Sequence, residues 1–142
     1  MNSCVFCKKI PDLLRDKSAF LVKEFKHSVL ILGDHQTFPG YCILVLKDHV
    51  KELIDLDATI QSAYNDELMV ASHAIKKAFG AEKINVANYG NMTPHLHWHI
   101  FPRKQTDKNW PNPPWTLMDE FEKNKTTISQ AQEVKNTLLK LL

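Results

Sequence analysis

His95-Leu96-His97-Trp98-His99-Ile100-Phe101 alternates imidazoles with large apolar side chains over its first six residues, the two-residue period of an extended strand. On a strand, His95, His97 and His99 share one face at spacings of about 6.6 Å, and Leu96, Trp98 and Ile100 share the other, where they can anchor to a core. Three imidazoles would then stand together on one accessible surface of a rigid element. Packing gives no reason for that cluster; chemistry gives two. Neutral imidazole is the commonest metal ligand, and two histidines with one more ligand and an open position would make a zinc-dependent hydrolytic centre. Imidazole, with an ordinary pKa of about 6.5, is also a nucleophile at neutral pH. Its attack on phosphorus gives a phosphoramidate whose nitrogen leaves easily once protonated. Periodicity does not choose between the two.

Outward from this segment, Lys83 to Tyr89 has a strand pattern, Gly90 to Pro94 a turn, and Pro102 and Pro111 to Pro114 read as stops. Further upstream, Ala19-Phe20-Leu21-Val22 and Ser28-Val29-Leu30-Ile31-Leu32 form two short apolar runs joined by a turn near Lys26-His27. A loop marked by Gly33 to Gln36 and by Pro39-Gly40 precedes Tyr41 to Leu46, a central buried strand in which Cys42 is an inert thiol. From Asp57 to Phe79 the period changes: Ile60, Tyr64, Leu68, Ala71, Ile75, Ala78 and Phe79 form a helical stripe, with Asp57 as N-cap and Gly80 ending it. A last helix opens with a capping box of Ser129 and Gln132 and buries Val134, Leu138 and Leu142. The pattern predicts one α+β domain over residues 1–142, with an antiparallel sheet, one long helix and a C-terminal helix.

The composition of the 142 residues is that of a globular chain, with 44% hydrophobic and 24% charged residues. A formal charge of +2, with 18 basic residues against 16 acidic, is too small to indicate nucleic-acid binding. No run approaches the roughly 20 apolar residues of a membrane helix. The start, Met1-Asn2-Ser3-Cys4, lacks the pattern of a signal peptide, so the expected compartment is the cytoplasm. Three cysteines without an export signal do not suggest disulfides, but Cys4 and Cys7 form a C-x-x-C that could be half a zinc site. Arginine occurs only at Arg15 and Arg103, and Arg103 follows the histidine cluster closely enough to be a phosphate fork.

The segment from His95 to Phe101 resembles the His-φ-His-φ-His-φ-φ motif of the histidine-triad (HIT) superfamily. The similarity extends from Cys4-Val5-Phe6-Cys7 through Pro39-Gly40 and Lys47-Asp48-His49-Val50 to Asn85 and Arg103. Pro94, Trp98 and Pro102-Arg103 resemble the bacterial branch described as diadenosine-tetraphosphate-hydrolase-like. The resemblance implies a homodimer of α+β protomers that hydrolyses or transfers nucleoside phosphates through a nucleotidylated histidine. On matching positions, His97 would be the nucleophile, His99 would orient it and hold phosphate, His95 would support the site, and Asn88 would orient a histidine. Asp34, Asn91, Thr93 and Arg103 would contact substrate. The pattern departs at Tyr41, where many members have histidine, at Gly33, where relatives place a ribose-holding residue beside Asp34, and at Asn91-Met92, where many have glutamine and a hydroxyl residue.

In some bacterial relatives a C-x-x-C joins two histidines around zinc. The matching set here is Cys4, Cys7, His49 and His95, whose four protein ligands would make a closed, structural site. Catalysis itself would need no cofactor. A nucleoside phosphoramidate hydrolase and a non-catalytic nucleotide-binding regulatory protein are the alternatives. His27, His35 and His73 read as solvated; Trp110 and Trp115 could stack on a base, but pinning the C-terminal arm, or contacting a second subunit, fits better.

Overall fold

The computed structural model describes residues 4–142. Helix α1 (Val5–Arg15) is followed by strands β1 (Leu21–Glu24), β2 (Ser28–Leu32) and β3 (Cys42–Leu46), then the long helix α2 (Ala58–Phe79). Strands β4 (Lys83–Ala87) and β5 (His97–Arg103), a short α3 (Met118–Phe121) and α4 (Ile128–Leu139) complete the described elements, with single 3-10 turns between some of them. The strands form one antiparallel sheet in the order β1-β2-β3-β5-β4, confirming the α+β class.

Helix α2 forms where its caps and its stripe agree. The Asp57 side chain accepts from the Ile60 N–H at 3.0 Å, and Gly80, at φ 58°, supplies the left-handed residue that ends the helix. Its buried face, including Tyr64, Leu68, Ala71 and Ile75, packs with Ala131 and Leu138 of α4 on Leu30, Leu32, Cys42, Leu44, Leu46, Leu96 and Ile100. The Tyr64 hydroxyl donates to the Leu44 carbonyl at 2.8 Å, so the largest polar group in this layer is satisfied. Cys42 is fully buried, and burial pushes its thiol pKa far up, which keeps it inert.

The other face of the sheet is covered only at its ends. Phe6, Ile10 and Leu13 of α1 pack on Val29, Ile31 and Val45. At the far side Phe38, Tyr41 and Phe101 are capped by Trp115, Leu117 and Phe121. Register places His97 beside Val45 and His99 beside Ile43, so both imidazoles lie on this face, between the two covers.

Four local expectations need correction. Helix α1 was not anticipated; its signal is the spacing of Phe6, Ile10 and Leu13, obscured by the C-x-x-C and by Pro11 inside the helix. Strand β5 begins at His97, not His95, and runs through Pro102. Past Ile100 only β4 still pairs with β5, and proline is tolerated on a strand with an open flank. The capping box of α4 is Thr127 with Gln130 rather than Ser129 with Gln132. Both frames satisfy the local rule; the Thr126 N–H bonded to the Asp34 carbonyl, with His35 bridged to Lys125, ends the extended arm early enough for the first to win. His35 is buried, not solvated, in a stack between Phe121 and Tyr41.

Candidate active site and metal cluster

His97 is held from three sides. Its Nδ1 lies 2.6 Å from the His95 carbonyl oxygen, and a carbonyl only accepts, so Nδ1 carries the proton and Nε2 keeps its lone pair. The Asn88 amide donates to the His97 carbonyl at 2.9 Å, clamping the backbone of β5 rather than an imidazole. Phe6 of α1 lies 5.0 Å from the His97 ring, and the His99 ring meets it edge-on at 4.9 Å. These contacts fix both the tautomer and the direction of the His97 ring.

His99 is kept neutral. Burial, with a smaller contribution from neighbouring His97, pushes its pKa down to about 4. Its Nδ1 is 2.7 Å from the Tyr41 hydroxyl, and Trp115 stands edge-on against its ring at 5.2 Å. Trp115 therefore pins the arm, as expected, but it does so directly over the triad.

His97 and His99 open on a cleft of about 690 Å³. The floor includes Ile31 and Ile43; Phe6 and Lys9 form one wall, and Tyr89, Met92, Trp115 and Met118 the other. Of the expected substrate contacts, Asp34, Asn91 and Thr93 line this cleft. Arg103 does not. It is 1% exposed, and its guanidinium donates to Asp107 at 2.7 Å, Asn85 at 3.0 Å, Asn109 at 3.0 Å and the Asn112 carbonyl at 3.1 Å. With Phe38 under it as well, its fork binds the loop after β5, and the phosphate role is withdrawn. The aromatic and apolar walls were missed because each comes from a different, distant segment. A smaller cavity of about 400 Å³ beside Trp98, on the α2 face, contains none of these histidines.

His95 does not share the cleft. It precedes the strand, is fully buried, and turns its ring the other way, so two imidazoles rather than three face the accessible side. Its Nε2 donates to the Leu46 carbonyl at 2.7 Å, which leaves the Nδ1 lone pair pointing into a cluster with Cys4, Cys7 and His49. Burial lowers the His95 pKa, which favours that neutral form. The cluster can be tested against a tetrahedron. Zinc bonds of about 2.3 Å to sulfur and 2.0–2.1 Å to nitrogen require edges of about 3.3 Å between nitrogens and 3.5 Å between nitrogen and sulfur. The His49 and His95 Nδ1 atoms are 3.3 Å apart; Cys4 to His95, Cys7 to His49 and Cys7 to His95 measure 3.3, 3.3 and 3.6 Å. The four side chains fit a zinc ion.

Comparison with known proteins agrees with this geometry. A HIT domain profile matches residues 15–106. The chain is 30% identical to an adenylylsulfatase of Arabidopsis thaliana over 115 residues, 77% of this chain and 56% of the relative. It is 33% identical to a bis(5'-adenosyl)-triphosphatase of Saccharomyces cerevisiae over 97 residues, 61% and 47% of the two chains. The chain thus spans about half the length of the curated relatives it matches. A histidine triad protein of Sinorhizobium meliloti superposes with a TM-score of 0.77 at 28% identity, over 93% of this chain and 94% of that one. The matched profile contains both cleft histidines, and the fold is that of the solved relative: the chain belongs to the HIT domain family.

Proposed function

We propose that this protein hydrolyses or transfers nucleotides by attack of His97 Nε2 on the α-phosphorus of a nucleoside polyphosphate of the dinucleoside kind. The observation that carries this is the 2.6 Å bond from His97 Nδ1 to the His95 carbonyl, which leaves Nε2 unprotonated at the wall of a cleft large enough for a nucleotide. A P–N bond forms as the bond from phosphorus to the leaving oxygen breaks, and that oxygen takes a proton from solvent. Water then attacks phosphorus, the P–N bond breaks, the water's proton returns to solvent, and the neutral imidazole is restored. In this reading His99 holds the phosphoryl oxygens, Asn88 and His95 fix His97, and Asp34, Asn91 and Thr93, which line the cleft, contact the sugar and phosphates. Such chemistry is mostly positioning and charge stabilisation.

Cys4, Cys7, His49 and His95 would hold a zinc ion with four protein ligands, a structural role in which the start of α1 would be tied to His95. A homodimer is the assembly we infer from the family; the open outer flank of edge strand β4 supports it. No described helix is long and apolar enough to cross a membrane.

The relatives' names point to an adenylyl group carrying different leaving groups, so the test is a panel: diadenosine tri- and tetraphosphate, adenylyl sulfate and adenosine phosphoramidate. Wild type should turn over at least one of them and yield a nucleotidylated peptide containing residue 97 on acid-free quenching and mass spectrometry. His97→Ala should lose both, by a factor of about 10³ or more in rate. Nucleotide binding with no turnover and no adduct in wild type would instead identify a regulatory binding module.

A further inference from the structure

Tyr41, a departure from the family pattern, lies against the triad histidine His99. The ring is 3% exposed and lies flat on Phe101, with centroids 4.1 Å apart and planes within 2°. The His35 ring covers it at 4.7 Å. So packed, the hydroxyl has one direction, and its hydrogen-bond partner among the described residues is His99 Nδ1 at 2.7 Å. Gly33 belongs to the same arrangement: a Cβ there would overlap the Tyr41 ring, so the ring occupies the space that a side chain at position 33 would need. The two departures are one exchange.

We propose that Tyr41 is a positioning residue whose phenol holds His99 in the tautomer protonated on Nε2, so that His97 offers the cleft a lone pair and His99 offers it an N–H. This rests on His97 as the nucleophile. A phenol and a neutral imidazole share one hydrogen bond, and the proton in it comes from one or the other. If His99 donated from Nδ1, the buried phenol proton would have no acceptor, the more costly arrangement. If the phenol donates, both groups are satisfied and the His99 proton moves to Nε2, the nitrogen on the far side of the ring from Tyr41. Burial raises the phenol pKa well beyond its ordinary value, so the donor stays protonated at every working pH. The cleft then holds unlike groups side by side, one to bond phosphorus and one to donate to its oxygens. With the opposite tautomer, two imidazole lone pairs would face the same phosphoryl oxygens.

Long-range ¹H–¹⁵N spectra of the histidine rings test this directly. In wild type, His99 should show the neutral tautomer protonated on Nε2. Tyr41→Phe keeps the ring stack and removes the hydroxyl; His99 should then become a mixture of tautomers, with kcat lowered about tenfold and KM within twofold of wild type. Gly33→Ala keeps the hydroxyl but displaces the ring and should give the same spectral change; if it does not fold, Tyr41→Phe still decides. A wild-type His99 protonated on Nδ1 overturns the proposal, as does an unchanged tautomer in Tyr41→Phe whatever happens to kcat. Absence of a nucleotidyl adduct in wild type would overturn the nucleophile instead, and the spectra would separate the two failures.

Discussion

The proposal that Cys4, Cys7, His49 and His95 hold zinc gives the most direct quantitative prediction. Four donor atoms converge from the first turn of α1, from the loop after β3 and from the residue before the triad strand, and without an ion two imidazole lone pairs and two thiols crowd one point. Helix α1 is otherwise held by three buried apolar side chains, Phe6, Ile10 and Leu13. An ion that binds the folded chain alone stabilises it by about 2.7 kcal/mol when present at a hundredfold excess over its dissociation constant. At about 3–4 °C per kcal/mol for a chain of this size, stripping it should lower Tm by about 10 °C. The assay is scanning calorimetry of protein as purified, after chelation, and after returning one equivalent of zinc, with metal content measured by emission spectrometry. About one zinc per chain and a reversible drop of that size are expected, and Cys7→Ser should reproduce the chelated state. Hydrogen exchange should show α1 loosening first, because two of the ligands lie at its start. A chain purified without chelator that carries less than a tenth of an equivalent of metal, and whose Tm ignores both chelator and zinc, would refute the cluster as a metal site.

Three other outcomes follow from the same structure. Arg103→Met leaves Asp107 and Asn109 without their buried partner and should cost about 3 kcal/mol or more of stability, while KM for nucleotide in the folded fraction stays within twofold; a raised KM with unchanged Tm would return Arg103 to the substrate. Asn88→Ala removes one bond to the backbone of His97, worth about 1 kcal/mol, and should lower kcat about five- to tenfold in steady-state assays without loss of the nucleotidyl adduct. Burial holds His35 and His99 below the ordinary value of 6.5, so on acidification the unfolded chain takes up these protons first. Stability from their neutral forms is complete above about pH 6.5 and is lost as pH falls below it, for His99 down to about 4. Comparing zinc-loaded wild type with zinc-loaded His35→Phe should show a shallower fall of Tm in the variant; equal slopes would mean that His35 is not neutral in the fold.

The sequence by itself determined the sheet and the helix stripe, because the two sides of an element meet different surroundings and impose a period on each segment separately: two residues where His97 and His99 alternate with Trp98 and Ile100, three and four for Tyr64 to Ile75. It also determined that His97 and His99 share a face. Only the tertiary structure decided which way each imidazole turns and which group it meets. The ring direction and tautomer of a histidine depend on its partners, and these come from far along the chain: Cys4 and Cys7 draw His95 away from the cleft across 91 and 88 residues, and Tyr41 engages His99 across 58. For the same reason Arg103, which adjacency in sequence joined to the triad, is enclosed by the loop that follows it, whereas Phe6 and Lys9, which no local pattern marks, became a wall of the cleft. A period records which side of an element is buried; it carries no information about which group from elsewhere will meet a side chain there.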